Sequence, residues 1–342
     1  MKKYIDFIPG FASALAIAAV AKWLESLLPI HLIGASVIAL FIGMTINYFH
    51  KPGKHAAPGI KFTSKKVLKF AIILLGASLS VGTIMHIGRL SLTVMIFTLA
   101  TCFGGGYFIG RALGLNWKLS NLISAGTGIC GGSAIAAIAP VIDAEDADIA
   151  YAISATFLFD MAMIVLFPIM GRALGLSDMA YGLWAGTAVN DTSSVVAAGY
   201  AFSDTAGDFA TMVKLTRTLS IIPTVVAFAL IQLRLKRREA AASGENSDAK
   251  LHVNFFKLFP WFILGFLTMA GLNSLGLFPA GFSAAAKSLS KFLMVAALAA
   301  IGLNTSFRDM KKSGIAPMLH GFIISALVVM VALAVEYCIG LI

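Results

Sequence analysis

The stretch GTGICGGSAIAAIAP, residues 126–140, places four glycines within seven positions of an otherwise apolar run. Glycine is a poor helix former because it loses more backbone freedom on folding than other residues. In a membrane, backbone that leaves a helix has to face protein, water or a ligand. The stretch therefore predicts a helix that breaks at membrane depth. The alternative is one continuous helix whose glycines let a second helix pack closely.

The composition of the whole chain indicates a membrane protein. Of its 342 residues, 59% are hydrophobic and 12% are charged, whereas a soluble domain is about half apolar and about a quarter charged. We expect one integral membrane domain over residues 1–342 and no separate soluble domain. The net charge of +10 is therefore interpreted by its placement along the chain and not as a sign of nucleic-acid binding. The three cysteines have no metal-ligand spacing.

About 20 apolar residues cross a bilayer, and this length predicts an all-α protein with eleven transmembrane helices. The predicted spans are 7–27, 30–49, 67–85, 90–112, 119–142, 147–170, 179–200, 209–233, 256–274, 283–305 and 315–340. With the N-terminus in the cytoplasm, most Lys and Arg residues fall on the inner side, in agreement with the positive-inside rule. The C-terminus is then outside, Glu336 lies at the interface, and residues 234–254 form a mobile cytoplasmic loop.

A second stretch, GTAVNDTSSVVA at 186–197, is similar to GTGICGGSAIAA at 126–137. It carries five consecutive polar residues at membrane depth, where polar side chains are costly. Asp191 is predicted either to bind Na⁺ or a proton or to cap a half-helix, and each role is compatible with a second helix break. The eleven-span topology runs the two stretches in the same direction, so they are not a simple inverted pair. Whether they lie side by side is left open.

Three further charges are predicted to lie in the membrane. Lys214 and Arg217 are three residues apart and hence on one helical face, ahead of Pro223, which weakens the helix. They either attract an anion or pair with acidic residues, although Lys214 is also placed to reach the interface by snorkelling. Asp160 is predicted to pair with Arg217 or Lys214. Together with Asp191 these charges sum to zero, so uptake of a proton or Na⁺ by one carboxylate would leave a net positive site.

The motifs GTGICGGSAIAAIAPVI, VNDTSSVVAAG and VKLTRTLSIIP, in this order and spacing, resemble the YeiH-type family of bacterial inner-membrane proteins, to which sulfate export is ascribed. That family is grouped with transporters of the bile-acid and arsenite type. The resemblance implies an inverted-repeat transporter with a core domain, a panel domain and discontinuous helices that cross at the centre. Family members often carry His where this chain has Asn190, so a His-based proton relay is not carried over to this position.

The predicted function is secondary active transport of a small anion such as sulfate, a sulfonate or a small carboxylate, coupled to H⁺ or Na⁺. The predicted substrate-binding residues are Thr127, Gly128, Cys130, Gly131, Gly132, Ser133, Asn190, Thr192, Ser193, Lys214 and Arg217. Asp160 and Asp191 are the predicted ion-coupling residues. The alternative is a cation exchanger or symporter in which the basic residues only pair with buried carboxylates.

The chain has no HExxH, GxSxG or Walker A motif. We therefore expect no catalytic residue, no metal site and no cofactor other than the coupling ion. The expected partners are the lipid bilayer and the anion, and no nucleic acid. The choice between a monomer and a homodimer is left open.

Overall fold

The computed structural model describes residues 7–27, 34–53, 55–243, 260–279, 281–305 and 314–342. Over these ranges the chain is helical and has no strand, which confirms the all-α prediction. The helices are α1 (Ile8–Leu27), α2 (Ala35–Phe49), α3 (Ala57–Phe62), α4 (Leu68–Gly76), α5 (Val81–Ala100), α6 (Gly106–Ala112), α7 (Trp117–Gly128), α8 (Gly132–Ile138), α9 (Asp146–Ala173), α10 (Asp178–Ala188), α11 (Thr192–Phe202), α12 (Asp204–Thr218), α13 (Ile221–Ser243), α14 (Trp261–Ser274), α15 (Phe282–Asn304) and α16 (Ile315–Cys338). Single π-helical segments, Thr63–Val67 and Thr101–Gly105, join α3 to α4 and α5 to α6.

Within the described residues, six helices are long and apolar enough to cross a membrane. They are Ile8–Leu27, Val81–Ala112, Asp146–Ala173, Asp204–Leu235, Phe282–Asn304 and Ile315–Cys338. The chain is therefore a membrane protein with several apolar helices, whereas the predicted number of eleven spans is not confirmed. The two helices α2 and α14 are apolar but shorter.

Several predicted boundaries differ from the observed ones, and two of these differences change the description of a segment. The predicted span 67–85 contains a helix end, because α4 stops at Gly76 and α5 starts at Val81. Ser80 is the N-cap of α5, and its hydroxyl accepts a hydrogen bond from the Thr83 N–H at 3.1 Å. At the other boundary, α13 continues to Ser243, so the first part of the segment 234–254 is helical, while 244–254 lies outside the described residues.

The helices pack as two groups. The small group consists of α1–α4, α14 and α15, and the large group consists of α5–α13 and α16. Small residues bring helices of the small group together, since a Cβ on Gly43 of α2 would lie 2.4 Å from the Ala299 carbonyl oxygen of α15. Close approach at small residues is how helices associate in lipid, where the hydrophobic effect does not drive them together. Helix α11 packs against both α2 and α15 and so connects the two groups.

Residues 117–138 of the large group form the first hairpin, in which α7 leads into a turn and α8 leads back. Across the turn, the Ile135 side chain lies against Gly126. Near the base, Lys118 Nζ donates a hydrogen bond to the Asp143 carbonyl oxygen at 2.7 Å. Residues at similar distances from the turn are therefore neighbours, and the hairpin ends on the side where it began.

Residues 178–202 form the second hairpin from α10 and α11. The Tyr181 hydroxyl donates to the Ala198 carbonyl oxygen at 2.9 Å. At the base, the Ser203 hydroxyl donates to Asp178 Oδ1 at 2.7 Å. These contacts again join residues on opposite arms, so the second segment also doubles back.

Helix α9 separates the bases of the two hairpins. Near its N-terminus, Asn116 at the first base donates to Asp148 Oδ1 at 3.0 Å. Near its C-terminus, Arg172 Nη2 donates to the Ala201 carbonyl oxygen of the second hairpin at 2.9 Å. The helix has 28 residues, which corresponds to a length of about 42 Å. The two hairpins therefore enter from opposite ends of α9.

The turns of the two hairpins meet between these ends. A Cβ on Gly131 would lie 3.2 Å from Cα of Asp191, so the two stretches lie side by side, which the sequence left open. The predicted crossings 119–142 and 179–200 are corrected accordingly, because each segment doubles back instead of spanning. Each segment has the length of a span, and length alone does not distinguish a hairpin from a crossing.

Candidate functional site

The first turn requires glycine at its centre. Helix α7 ends at Gly128, and Gly131 has φ +63°, a left-handed conformation that favours glycine. The Gly131 N–H donates to the Gly126 carbonyl oxygen at 2.8 Å. Helix α8 then begins at Gly132. The predicted helix break in 126–140 is confirmed, and the alternative of one continuous helix through this stretch is excluded.

The second turn is capped by a carboxylate. Helix α10 ends at Ala188, and Asp191 is the N-cap of α11. Its Oδ2 accepts a hydrogen bond from the Ser193 N–H at 2.9 Å, and the Ser193 hydroxyl donates to the same oxygen. The capping role predicted for Asp191 is therefore observed, and it accompanies a helix break as expected.

Two buried cations from α12 bind the backbone at the turns. Arg217 Nε donates to the Gly128 carbonyl oxygen at 2.6 Å, and its Nη2 donates to the Thr127 carbonyl oxygen at 2.7 Å. Lys214 Nζ donates to the Val189 carbonyl oxygen at 2.9 Å. These carbonyls belong to the C-terminal ends of α7 and α10, which carry partial negative charge. Each cation therefore stabilises the inward arm of one hairpin.

Asp160 supplies a negative charge at the second turn, where it binds backbone amides. It is fully buried on α9, and its two carboxylate oxygens accept hydrogen bonds at 2.8 Å from the N–H groups of Asn190 and Asp191. These amides lie at the start of α11, where partial positive charge favours a carboxylate. The predicted pairing of Asp160 with Lys214 or Arg217 is corrected, because the ion pairs found in the described residues do not include it.

A serine that the sequence analysis did not select also lies between the turns. Ser325 of α16 is buried, and its hydroxyl lies 3.4 Å from Asn190 Nδ2 and 3.5 Å from the Thr127 hydroxyl. Its position in the middle of an apolar span was the available sequence signal. Three buried polar atoms near the turns have no hydrogen-bond partner among the described residues. They are Asn190 Oδ1, Arg217 Nη1 and Thr187 Oγ1.

Accessibility divides the predicted site into two parts. The buried part consists of Thr127, Gly128, Cys130, Gly131, Asn190, Ser193, Lys214 and Arg217. Ser133 is exposed, and Gly132, Asp191 and Thr192 are half-buried. The buried residues lie at the two turns, whereas the other four keep part of their surface exposed.

The environment of Glu336 differs from the predicted one. It was expected at the interface, but its side chain is buried, and both carboxylate oxygens lack a hydrogen-bond partner in the part of the chain that the structure describes. The sequence placed it near the end of α16, where depth is the hardest property to judge from a hydrophobic pattern.

Two opposed helical hairpins, held at their turns by buried charges inside a set of long apolar helices, define a polytopic membrane protein with a central polar site. A family model described as "Conserved hypothetical protein 698" matches residues 9–321, and the chain belongs to this family. It is 54% identical over 334 residues to a UPF0324 membrane protein of Clostridium tetani, with 97% of each chain covered. UPF0324 membrane proteins of Streptococcus pyogenes serotype M3 and Streptococcus mutans are 40% and 37% identical, with 100% and 98% of each chain covered.

The family membership agrees with the resemblance seen in the sequence at the level of a membrane-protein family. None of these names specifies a substrate, and none refers to sulfate export or to bile-acid and arsenite transporters.

Proposed function

We propose that the protein is a secondary active transporter whose substrate binds where the two hairpin turns meet. The observation that carries the proposal is the contact between Gly131 and Asp191, with accessible polar groups beside it, between hairpins that enter from opposite ends of α9. Many secondary transporters bind substrate near the bilayer midplane between discontinuous helices of inverted repeats. The similarity of 126–137 to 186–197 supports such a repeat, since the two hairpins have opposite directions.

A small anion, such as sulfate, a sulfonate or a small carboxylate, is the proposed substrate. Lys214 and Arg217 bind carbonyl oxygens and form no ion pair with a carboxylate among the described residues, so their charge contributes a positive potential around the turns. We place the anion beside Ser133 and Thr192, whose hydroxyls are accessible donors.

Coupling to H⁺ or Na⁺ is assigned to Asp191. Asp160 and Asp191 were both candidates, but two backbone amides fix Asp160 in a buried position. Asp191 is half-buried at the second turn, where an ion has access to it. A proton or Na⁺ on this carboxylate would remove a negative charge from the site and favour an incoming anion. Asp160 is then an anchor of the second hairpin.

A cation exchanger or symporter is the second candidate. The observation that favours it is the same accessible carboxylate, because a site built around Asp191 binds a cation without any anion. In that case Lys214 and Arg217 only stabilise the hairpin turns, a role that their carbonyl contacts already explain.

The proposed setting is the bacterial inner membrane, with the N-terminus in the cytoplasm and the C-terminus outside. The large group corresponds in this proposal to a core domain and the small group to a panel domain, and alternating access moves one past the other. We propose no enzymatic activity and no cofactor beyond the coupling ion.

A thermal-shift screen of the purified full-length protein tests the proposal. The anions are sulfate, sulfite, thiosulfate, taurine and small carboxylates, each with and without Na⁺ and at two pH values. A ligand that binds only the folded state raises the melting temperature. We expect a shift with at least one anion that is lost in the accessible-site variant Thr192→Val. A shift with Na⁺ or pH but with no anion, abolished by Asp191→Asn, would instead establish the cation-only function.

A further inference from the structure

We infer that two ion pairs between the large and small groups form a gate at the base of the second hairpin. Lys287 Nζ binds Asp208 Oδ2 at 2.5 Å, and Lys291 Nζ binds Asp204 Oδ2 at 2.7 Å. The acidic partners are on α12 of the large group and the basic partners are on α15 of the small group. Because both pairs are spaced by four residues, each helix presents its two charges on one face.

The ion pairs are part of a wider contact at this place. The Tyr200 hydroxyl donates to Asp208 Oδ1 at 2.5 Å, and Lys291 Nζ lies 5.5 Å from the centre of the Tyr200 ring. A Cβ on Gly34, which precedes α2, would lie 3.1 Å from Cα of Ala201. The end of α11 is therefore held by two helices of the small group, and the charges form the specific part of this contact.

The contact lies at the opposite end of α11 from the proposed substrate site, so separation of the two groups there would open a path to it. Helix α11 begins at the second turn with Thr192 and carries Tyr200 near its other end. Asp204 follows directly after the base of the hairpin, where Ser203 binds Asp178. The ion pairs thus join the groups at the hairpin base, while the turn and its accessible residues lie at the opposite end of the same helix.

The exposure of the charges suits a contact that opens and closes. The Asp204 side chain is 73% exposed and the Asp208 side chain 10%. The more exposed pair, Lys291 with Asp204, separates into water at little cost, because exposed ion pairs are worth at most about 1 kcal/mol. The less exposed pair, Lys287 with Asp208, is more strongly held, since Asp208 also accepts the hydrogen bond of the Tyr200 hydroxyl. This inference rests on the proposed function only in assuming that the two groups move apart during a transport cycle.

Thiol labelling tests the gate without a substrate. Thr192→Cys is introduced into a Cys338→Ser background, which removes the exposed native cysteine, while the other two cysteines are buried. A membrane-impermeant maleimide is applied to either side of the membrane. We expect Asp208→Asn and Lys287→Gln each to raise the labelling rate from the side of the second hairpin base by about fivefold or more, because this pair is less exposed than the pairs for which about 1 kcal/mol is the upper value. The charge swap Asp208→Lys with Lys287→Asp should return the rate towards that of the parent.

Glu25→Gln is the matched control, because Glu25 accepts a hydrogen bond from the Ala35 N–H within the small group and, among the described residues, forms no ion pair with α12. It should leave the labelling rate unchanged. If the swapped protein does not fold, the single variants Asp204→Asn and Lys291→Gln are compared with the charge swap Asp204→Lys with Lys291→Asp instead. Unchanged labelling in all neutralised variants would overturn the gate. Because labelling needs no anion, a failed anion screen with increased labelling would reject the proposed substrate and retain the gate.

Discussion

Gly131 combines two demands that only glycine meets. Its φ of +63° disfavours a side chain, and a Cβ there would lie 3.0 Å from the Asp191 Cβ. With ψ −134° this backbone conformation is one that residues other than glycine rarely adopt, and holding such a residue there costs about 1–3 kcal/mol before any steric contact is counted. We expect Gly131→Ala to lower the free energy of unfolding by about 2 kcal/mol or more.

Gly132→Ala is the control for this prediction, since the nearest side-chain atom to a Cβ there is 4.0 Å away on Ile153 and no left-handed φ is required. Thermal unfolding in detergent measures both variants. Equal stability of Gly131→Ala and Gly132→Ala would contradict the described turn geometry.

Arg217 is predicted to contribute mainly to the stability of the fold. Its guanidinium binds the adjacent carbonyl oxygens of Thr127 and Gly128 through two different nitrogens, a geometry that one ammonium group does not reproduce. Leaving buried acceptors without partners costs about 1–3 kcal/mol per group. We expect Arg217→Ala to destabilise the fold by about 3 kcal/mol, with Arg217→Lys between it and the parent.

The measurement is the melting temperature of each variant in detergent without ligand. The sequence selects Arg217 only as a substrate-binding residue, and loss of that role alone would leave the melting temperature without ligand unchanged. A parent-like melting temperature for Arg217→Ala would therefore contradict the anchoring role.

At the scale of elements, the sequence predicts the helix breaks but not the hairpins. The glycines of 126–140 and the polar run at 190–194 are local signals, and both breaks lie where these signals are. The reversal after each break depends on contacts such as Lys118 with Asp143 and Ser203 with Asp178. These contacts are distant in sequence, and the apolar length of each segment equals that of a span.

The hairpins predict which loops share a side of the membrane. In the structure, Ala112 and Glu145 flank the first hairpin, and Ala173 and Ser177 lie at the opposite end of α9. We expect cysteines at 112 and 145 to react with an impermeant maleimide from the same side, and cysteines at 173 and 177 from the other. All four positions are exposed. A crossing at 119–142 would instead place 112 and 145 on opposite sides.

At the scale of the whole molecule, two errors in the predicted topology cancel. Replacing the crossing at 119–142 by a hairpin reverses the direction of α9, and replacing the crossing at 179–200 reverses the chain once more. From Asp204 onward the predicted directions are unchanged, so most Lys and Arg residues keep their predicted sides. Only the connections around α9 exchange sides, and among the basic residues this moves Arg172 to the outer side. The positive-inside rule therefore supports the predicted orientation of the termini and does not by itself reveal the two hairpins.

The same reversal removes the conflict between the two similar stretches. Because α9 crosses once between the hairpins, residues 126–137 and 186–197 run in opposite directions, as an inverted repeat requires. Helices α7 and α10 end at the corresponding positions Gly128 and Ala188. The sequence similarity is therefore compatible with the proposed inverted repeat, which the predicted number of crossings had argued against.

The proposed site predicts that the anion and the coupling ion influence each other's binding. If Asp191 carries the coupling ion, binding of the anion and of the ion are linked, and each raises the affinity for the other by the same factor. We expect the anion-dependent thermal shift of the parent to vary with Na⁺ or pH. In Asp191→Asn the side chain is permanently neutral, so the shift should persist and become independent of both.

Asp160→Asn is the contrasting variant, because it weakens the hydrogen bonds to the Asn190 and Asp191 amides. It should lower the melting temperature without ligand and leave the Na⁺ or pH dependence in place. If Asp191→Asn keeps the dependence of the parent while Asp160→Asn loses it, the roles of anchor and coupling residue are reversed. Asp160, which the two amides of the second hairpin bind, would then be the residue that exchanges the coupling ion. The second hairpin would have to move for that exchange to occur.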